Sequence, residues 1–324
     1  MTLDLLLTSE AGDPTGAARR AEELGYGSMW LGELWGASAP VKLAEIAAQT
    51  DEIGLGTAIL NVYSRSPAVL AMTAATLDEV SDGRFTLGVG TSTRKAIEDL
   101  HSGSFDRPVR RSHETIELVR AFLADEGRVH YNGELLSAAD FPPLGRDVPV
   151  YHAALGEANR RVVARLCDGW IPHNIPFSEL PEAFGYIVDH LPDDRESDDV
   201  TVAPYVPSAV ADDPDDARDV VRGHVAYYVG NGNGYKRAVG AKYPAEADAV
   251  RDAWTDGDRA AAAAAVTNEM VDDLGVAGTP ETARDRMREL IDTDVIDRPM
   301  LVVPGNADEE IGDRTVQELA PEKL

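Results

Sequence analysis

Four short stretches of this sequence place small, polar or ionisable residues directly after segments that predict buried strands. They span residues 30–36, 56–61, 88–92 and 153–157. The first contains Glu33, a carboxylate that could deliver a proton, and Trp35, an indole that could form a wall of a substrate pocket. The alternative is a glutamate that is solvated or paired with an arginine, beside a tryptophan that only packs.

The second and third stretches consist mainly of small residues. The candidate ligand contacts are Thr57, Ala58, Ile59 and Asn61 at the end of one predicted strand, and Gly90, Thr91 and Ser92 after the next. Small residues at strand ends let a ligand approach the backbone closely. An ordinary buried strand with a polar end is the alternative for residues 56–61.

The fourth stretch joins a strand to the start of a helix. Ala154, Leu155 and Gly156 precede this predicted helix. Free backbone N–H groups and the helix dipole at such a start favour an anion. A plain turn between strand and helix is the alternative. His152 and His173 also lie near strand ends, and we assign neither a catalytic role because a lone histidine is more often structural.

Several common catalytic motifs are absent from the sequence. Residues 88–93, GVGTST, lack the third glycine of a dinucleotide-binding fingerprint, and there is no P-loop motif. There is no HExxH motif and no close pair of histidines, so we predict no metal site. No lysine stands at a predicted strand end, which disfavours Schiff-base chemistry. The acidic residues at strand ends do not cluster as a magnesium site or a glycosidase pair requires.

Strand and helix patterns alternate along the chain, and this alternation positions all four stretches. Eight strand segments with eight main helices predict an α/β fold, a (β/α)8 TIM barrel with insertions; a doubly wound sheet is the alternative. In a barrel the loops after the strands share one face, so the four stretches would lie together. We expect a single domain over residues 1–324, with a hairpin insertion near 128–140 and a helical insertion near 213–274.

The composition limits the classes of partner. The chain has 57 acidic and 30 basic residues and a formal net charge of −27, which argues against binding to nucleic acid or to an anionic membrane. Only five of the basic residues are lysines. A diffuse acidic surface with few lysines predicts a halophilic protein, with an acidic mesophilic protein as the alternative. We predict a cytoplasmic protein, because no signal peptide or membrane-spanning run is recognisable.

Three segments resemble the bacterial-luciferase-like superfamily. They are RSPAVLAMTAATLDEVSDGRFTLGVGTS, VPVYHAALGEANRRVVARLCDGWIP and TPETARDRMREL, in the order and spacing of that family. A fourth segment, FDRPVRRSHETIELVRAFL, is most similar to the coenzyme F420-dependent oxidoreductase branch, which includes methylenetetrahydromethanopterin reductase. The resemblance covers nearly the whole chain.

The resemblance implies a TIM barrel with coenzyme F420 across the mouth formed by the carboxyl ends of the strands. A bulge in the third strand, within residues 57–61 and with a cis peptide bond at Ala58–Ile59, would lie behind the deazaflavin ring. The loops at 90–92 and 154–156 would hold the phosphate of the cofactor tail. FMN is the alternative cofactor, and the family suggests a homodimer or homotetramer.

Glu33 stands where several members of the family carry an acid/base histidine, which favours reduction of an electrophile over oxidation of an alcohol. We therefore predict an F420-dependent oxidoreductase that transfers a hydride between the deazaflavin and an electrophilic carbon of a small organic substrate. The candidate acceptors are 5,10-methylenetetrahydromethanopterin, a folate analogue or an activated C=C bond. An FMN-dependent monooxygenase and a non-catalytic flavin-binding protein are the alternatives. The insertion near 224–234 is predicted to cover the site.

Overall fold

The computed structural model describes residues 2–7, 13–125 and 127–324. Its strands are β1 (Asp4–Leu7), β2 (Ser28–Leu31), β3 (Gly54–Thr57), β4 (Leu60–Asn61), β5 (Phe85–Gly90), β6 (Val129–Asn132), β7 (Ser137–Phe141), β8 (Val150–Ala153), β9 (Gly169–Trp170), β10 (Thr201–Val202), β11 (Tyr205–Val210), β12 (Val276–Gly278) and β13 (Met300–Val302).

The α-helices are α1 (Pro14–Glu23), α2 (Ala39–Ala47), α3 (Pro67–Val80), α4 (Pro108–Leu123), α5 (Glu157–Leu166), α6 (Leu180–Val188), α7 (Pro214–Asn231), α8 (Asn233–Gly240), α9 (Pro244–Thr255), α10 (Arg259–Ala264), α11 (Asn268–Leu274), α12 (Pro280–Ile291) and α13 (Glu309–Glu318). Side chains cap several helix starts: Asp13 accepts a hydrogen bond from the N–H of Gly16, and Thr279 accepts one from the N–H of Thr282. Over the described ranges, no helix combines the length and apolar character needed to cross a bilayer.

Parallel strands form a closed barrel. Neighbouring strands follow the order β1, β2, β3, β5, β8, β9, β10, while β13 pairs with both β1 and β11. The barrel closes because β10 and β11 are two halves of one strand, the first paired with β9 and the second with β13. The predicted (β/α)8 barrel is therefore confirmed, and the chain does not adopt the doubly wound alternative.

Two segments are added to the barrel. β6 and β7 form an antiparallel hairpin in which Asn132 lies opposite Ser137, at the place where the sequence predicts a hairpin. Between β11 and β13 the chain forms α7 to α11, which bury a hydrophobic cluster that includes Val225, Val250 and Met270. The sequence predicts this helical insertion but not β12, which pairs in parallel with β11.

Polar groups close the amino-terminal end of the barrel. Asp4 is fully buried there and accepts hydrogen bonds from Trp30 Nε1 at 2.8 Å and from the Arg298 guanidinium at 2.9 Å. Arg298 also donates to Ser28 Oγ at 2.7 Å. Desolvation raises the pKa of Asp4 although Arg298 opposes it. Trp30 and Tyr151 fill the barrel interior next to this layer.

The melting temperature is expected to rise between low and molar KCl. The excess of acidic side chains makes the folded surface repel itself, and salt shortens the reach of that repulsion to about 3 Å near 1 M. Salt also weakens exposed ion pairs, but such pairs typically contribute only about 0–1 kcal/mol each. Melting temperatures measured over a series of KCl concentrations show whether the screening of repulsion outweighs the weakening of ion pairs. A flat or falling melting temperature would contradict the halophilic interpretation of the composition.

Candidate active site

The four predicted stretches meet at one edge of the barrel. Asn61 pairs with Gly90, and Gly90 in turn pairs with Ala153, so the ends of the third, fourth and fifth barrel strands lie side by side. Leu31, just before the stretch that contains Glu33, pairs with Thr57. The register of the parallel strands therefore brings together residues that are about 120 positions apart in the sequence.

A bulge interrupts the third barrel strand between β3 and β4. The Ala58–Ile59 peptide bond is cis, as the resemblance implies. The N–H of Ala58 donates to the carbonyl oxygen of Leu31 at 2.9 Å, and the Ala58 carbonyl oxygen accepts from the Tyr205 hydroxyl at 2.5 Å. The bulge is therefore held from both sides.

The Thr57 side chain connects the third barrel strand to the fourth. It is fully buried, and its hydroxyl donates to the carbonyl oxygen of Gly88 at 2.8 Å and accepts from the N–H of the same residue at 2.9 Å. These two bonds replace the interrupted ladder between β3 and β5. Any contact of Thr57 with a cofactor would therefore use its backbone, and its role as a cofactor contact stays a prediction.

Asn61 organises the loop after the bulge. Its side-chain oxygen accepts from the N–H groups of Tyr63 at 3.0 Å and Ser64 at 2.7 Å, and its amide nitrogen donates to His101 Nε2 at 3.3 Å. The side chain is almost fully buried. Because the Asn61 amide already bonds within the protein, little of it is left for a cofactor. Its role as a cofactor contact stays a prediction.

The loop after the fourth barrel strand begins at a crowded glycine. A Cβ atom at Gly90 would lie 3.1 Å from the Ile59 side chain and 3.4 Å from Ala153 Cβ, so the absence of a side chain lets three strand ends pack closely. Thr91 and Ser92 follow and are half-buried. Ser92 adopts a left-handed backbone conformation with φ of 57°. The start of this loop therefore packs directly against the bulge.

The start of α5 is open. Gly156 is the N-cap residue and no side chain caps the helix. A Cβ atom at Gly156 would meet no heavy atom within 4 Å. Ala154 is buried, and its carbonyl oxygen accepts from Trp170 Nε1 at 2.7 Å, which fixes the preceding turn. Leu155 lies under the insertion, where its Cδ1 is 3.3 Å from the Cβ position of Gly234. An anion fits this helix start.

Glu33 is engaged by three donors. Arg65 Nη1 lies 2.5 Å from Oε1 and Arg65 Nη2 lies 3.0 Å from Oε2, and the N–H of Ala39 donates to Oε2 at 3.0 Å. These bonds tie the loop after β2 to the start of α2 and to the segment after β4. Glu33 therefore pairs with an arginine, which is the alternative that the sequence left open for this residue. Proton delivery by Glu33 stays a prediction, as does the pocket role of Trp35, whose exposed fraction is 50%.

A cluster of aromatic side chains that the sequence did not assign lies behind the bulge. The His173 and Tyr205 rings are 4.4 Å apart, and His173 Nε2 lies 3.2 Å from His224 Nε2. Tyr228 and Tyr235 pack against His173 from α7 and α8. Desolvation lowers the pKa of His224 to about 3 and that of His173 well below its usual value, and it raises the pKa of Tyr205 well above its usual value.

The helical insertion therefore packs onto the strand ends through neutral rings. His224 and Tyr228 are four residues apart on α7, which places them on one face of the helix, and this spacing is the sequence signal that could have revealed the cluster. Within the ranges that the structure describes, no group of three or more histidine, cysteine, aspartate or glutamate side chains is arranged to hold a metal.

Known proteins show the same fold and related sequences. The model of the luciferase-like monooxygenase family matches residues 7–296. A Mycobacterium tuberculosis protein named provisionally as a coenzyme F420-dependent oxidoreductase is 29% identical over 298 residues, which is 82% of this chain and 84% of the relative. The 5,10-methylenetetrahydromethanopterin reductase of Archaeoglobus fulgidus is 30% identical over 285 residues and 83% of each chain.

Among solved structures, the coenzyme F420-dependent tetrahydromethanopterin reductase from Methanopyrus kandleri superposes with a TM-score of 0.82 at 22% identity, covering 99% of this chain and 97% of that one. This chain belongs to the luciferase-like monooxygenase family, because the family model spans most of its length. The relatives support the F420-dependent branch that the sequence predicts, and the structural likeness shows the shared fold.

Proposed function

We propose that this protein is a coenzyme F420-dependent oxidoreductase that reduces an electrophilic carbon of a small organic substrate. The observation that carries the proposal is the meeting of three features at one edge of the barrel. They are the bulge at Ala58–Ile59, the loop at 90–92 and the uncapped start of α5 at Gly156. The name of the Mycobacterium tuberculosis relative, which is of similar length, supports the choice of cofactor.

The described residues fit this cofactor. Ile59 and Ala153 are half-buried on either side of Gly90, which gives a flat ring an apolar surface between two strand ends. The open start of α5 has room for a phosphate, whose charge the helix dipole stabilises. When bound, reduced F420 supplies a hydride from its deazaflavin ring. The protein contributes position and a dry environment for that transfer.

The insertion supplies the dry environment. The buried His173 and His224 and the half-buried Tyr228 form a wall of neutral rings over the sixth and seventh strand ends. A wall without charge excludes water, and the lowered pKa values of both histidines make them weak bases. Tyr205 extends this wall to the bulge through its bond to the Ala58 carbonyl oxygen. In the proposed enzyme Tyr205 is therefore a positioning residue.

We further propose a methylene-bridged pterin, such as 5,10-methylenetetrahydromethanopterin or a folate analogue, as the substrate class. Alcohol oxidation needs a base for the hydroxyl proton, and both oxygens of Glu33 already accept hydrogen bonds from Arg65. Hydride addition to the bridging methylene carbon breaks one of its two C–N bonds, and the released nitrogen takes up a proton from solvent. This step therefore needs no base for a hydroxyl proton. The 5,10-methylenetetrahydromethanopterin reductase from Archaeoglobus fulgidus supports this class.

An anaerobic assay in molar KCl tests the proposal. Reduced F420 is mixed with the protein and with methylenetetrahydromethanopterin, methylenetetrahydrofolate or an activated alkene, and the visible absorbance of oxidised F420 is followed. A parallel reaction contains oxidised F420 and a secondary alcohol. We expect turnover with at least one methylene pterin and none with the alcohol. Turnover with the alcohol alone would contradict the proposed substrate class.

F420 affinity is expected to fall about 10-fold in a Tyr205→Phe variant. The change removes the donor to the Ala58 carbonyl oxygen, and a buried acceptor without its partner costs about 1–3 kcal/mol. Tyr26→Phe is the control, because the buried Tyr26 likewise donates to a backbone oxygen, that of Val316, away from the mouth. Urea unfolding and F420 titration of both variants measure the effect. Equal F420 affinities in the two variants would show that Tyr205 does not position the site.

A further inference from the structure

A cavity of about 360 Å³ opens beside the proposed cofactor site. Its lining includes Tyr63, Ser64, Ile97, His101, Asp106 and Arg111. Two segments connect it to the mouth of the barrel. Asn61 hydrogen-bonds to the backbone of Tyr63 and to His101, and the N–H of Ile97 donates to the carbonyl oxygen of Thr93 at the end of the strand-four loop. Hydrogen bonds therefore link the lining of the cavity to the segments that follow the bulge and the loop at 90–92.

Arg111 brings a cation to this cavity that no carboxylate of the described residues neutralises. In the described part of the chain its guanidinium makes no hydrogen bond or ion pair, and its Nε atom is buried without a partner. The guanidinium lies over an aromatic ring, with Arg111 Cζ 5.0 Å from the centroid of Tyr63. A guanidinium carries five N–H donors and is always charged, so this group retains capacity for an anionic ligand.

The neighbouring arginine shows the contrast. Arg110 Nη2 lies 3.1 Å from a carboxylate oxygen of Glu134, and Arg110 Nε lies 3.9 Å from Glu114. Asp106 brings a carboxylate to the cavity, but this carboxylate accepts from the Ser104 hydroxyl and forms no ion pair with Arg111. Arg111 therefore differs from Arg110 in that it lines the cavity and pairs with no described carboxylate.

We propose that this cavity binds the carboxylates of the acidic tail of F420 and that Arg111 recognises them. The inference rests on the proposed function. A tail that leaves the phosphate position near residues 90–92 and 154–156 carries negative charge past a protein of net charge −27, so its binding needs a local cation. The planar guanidinium, supported on Tyr63, can bind a carboxylate through two parallel hydrogen bonds.

The test is a set of titrations at one fixed molar KCl concentration. The ligands are F420 with its glutamyl tail, F420 cut back to its phospholactyl group, and the deazaflavin riboside that lacks phosphate and tail. The proteins are the parent, Arg111→Met, Arg111→Lys and Arg110→Met. Arg110→Met removes the same charge one residue away, and Arg111→Lys keeps the charge but loses the planar fork. Circular dichroism verifies that each variant is folded.

For Arg111→Met we expect affinity for full-length F420 to fall roughly 10- to 100-fold, with unchanged affinity for the two truncated ligands. The affinity of Arg111→Lys for full-length F420 should lie between those of the parent and Arg111→Met, and this variant serves as the test if Arg111→Met does not fold. The affinity of Arg110→Met should match that of the parent.

Three results would overturn the inference. Parental affinity of the folded Arg111 variants for full-length F420 would exclude the cavity. An equal loss with the phospholactyl form would assign Arg111 to the phospholactyl group instead of the glutamyl tail. A parent that binds none of the three ligands would overturn the proposed function and this inference with it.

Discussion

Affinity for F420 is expected to fall roughly 10- to 100-fold when Gly156 is replaced by aspartate. Gly156 begins α5 with no side-chain cap and with open space above it. An aspartate there would occupy the free N–H groups and place a negative charge where we locate the phosphate. Charge at a helix start is worth up to about 2 kcal/mol and a charged hydrogen bond about 1.5–3 kcal/mol, which sets this range.

Gly156→Asn is the matched control for that experiment. Asparagine has nearly the same size and is an equally good N-cap residue, so the difference between the two variants isolates the charge. Both should unfold at least as late in urea as the parent, because each adds a cap to α5. If Gly156→Asp binds F420 as tightly as Gly156→Asn does, the anionic group of the cofactor lies elsewhere.

The free energy of unfolding is expected to fall by about 1–3 kcal/mol in Glu33→Gln. Arg65 would lose its partner in a pair whose side chains are only 15–20% exposed, and breaking a fully buried pair costs about 3–5 kcal/mol. The rate with reduced F420 should fall less than the 10²- to 10⁴-fold that loss of a general acid produces. The reason is that every contact of Glu33 uses it as an acceptor that fixes the loop after β2.

The Arg65→Met variant distinguishes between two roles for the Glu33 carboxylate, anchoring the loop and delivering a proton. If Glu33 only anchors the loop, Arg65→Met should reproduce the stability and rate of Glu33→Gln, and the pH dependence of the rate should match that of the parent in both. If Glu33 delivers a proton, Arg65→Met should remain active while Glu33→Gln loses rate at unchanged F420 affinity. Unfolding curves and pH–rate profiles of the two variants are the measurements.

The sequence predicts the barrel elements well because local signals define their ends. α3 begins at Pro67, directly after the capping residue Ser66, and α5 begins directly after Gly156. The missed strand, β12, has three residues, Val276–Gly278, and exists through its pairing with β11. Such a strand has no periodicity of its own, so only the tertiary structure reveals it.

The site is predicted less completely, because its partners are distant in sequence. The Ala58 carbonyl oxygen and the Tyr205 hydroxyl belong to residues 147 positions apart, and Glu33 and Arg65 are 32 positions apart. The position of each strand end follows from the alternation of strands and helices. The contacts between side chains of different strands across the mouth depend on the curvature of the barrel and on the position of the insertion. No local sequence pattern encodes the curvature or that position. For the same reason Thr57 and Asn61 are predicted as cofactor contacts, whereas their side chains bond largely within the protein.

Side-by-side titration with F420 and FMN in molar KCl tests the central claim most directly. The open start of α5 and the cavity at Arg111 offer sites for a phosphate and for a long acidic tail, and FMN has the phosphate but not the tail. We predict that the protein binds F420 more tightly than FMN, with the deazaflavin spectrum shifted on binding. Equal or tighter binding of FMN would contradict the cofactor assignment and favour an FMN-dependent monooxygenase.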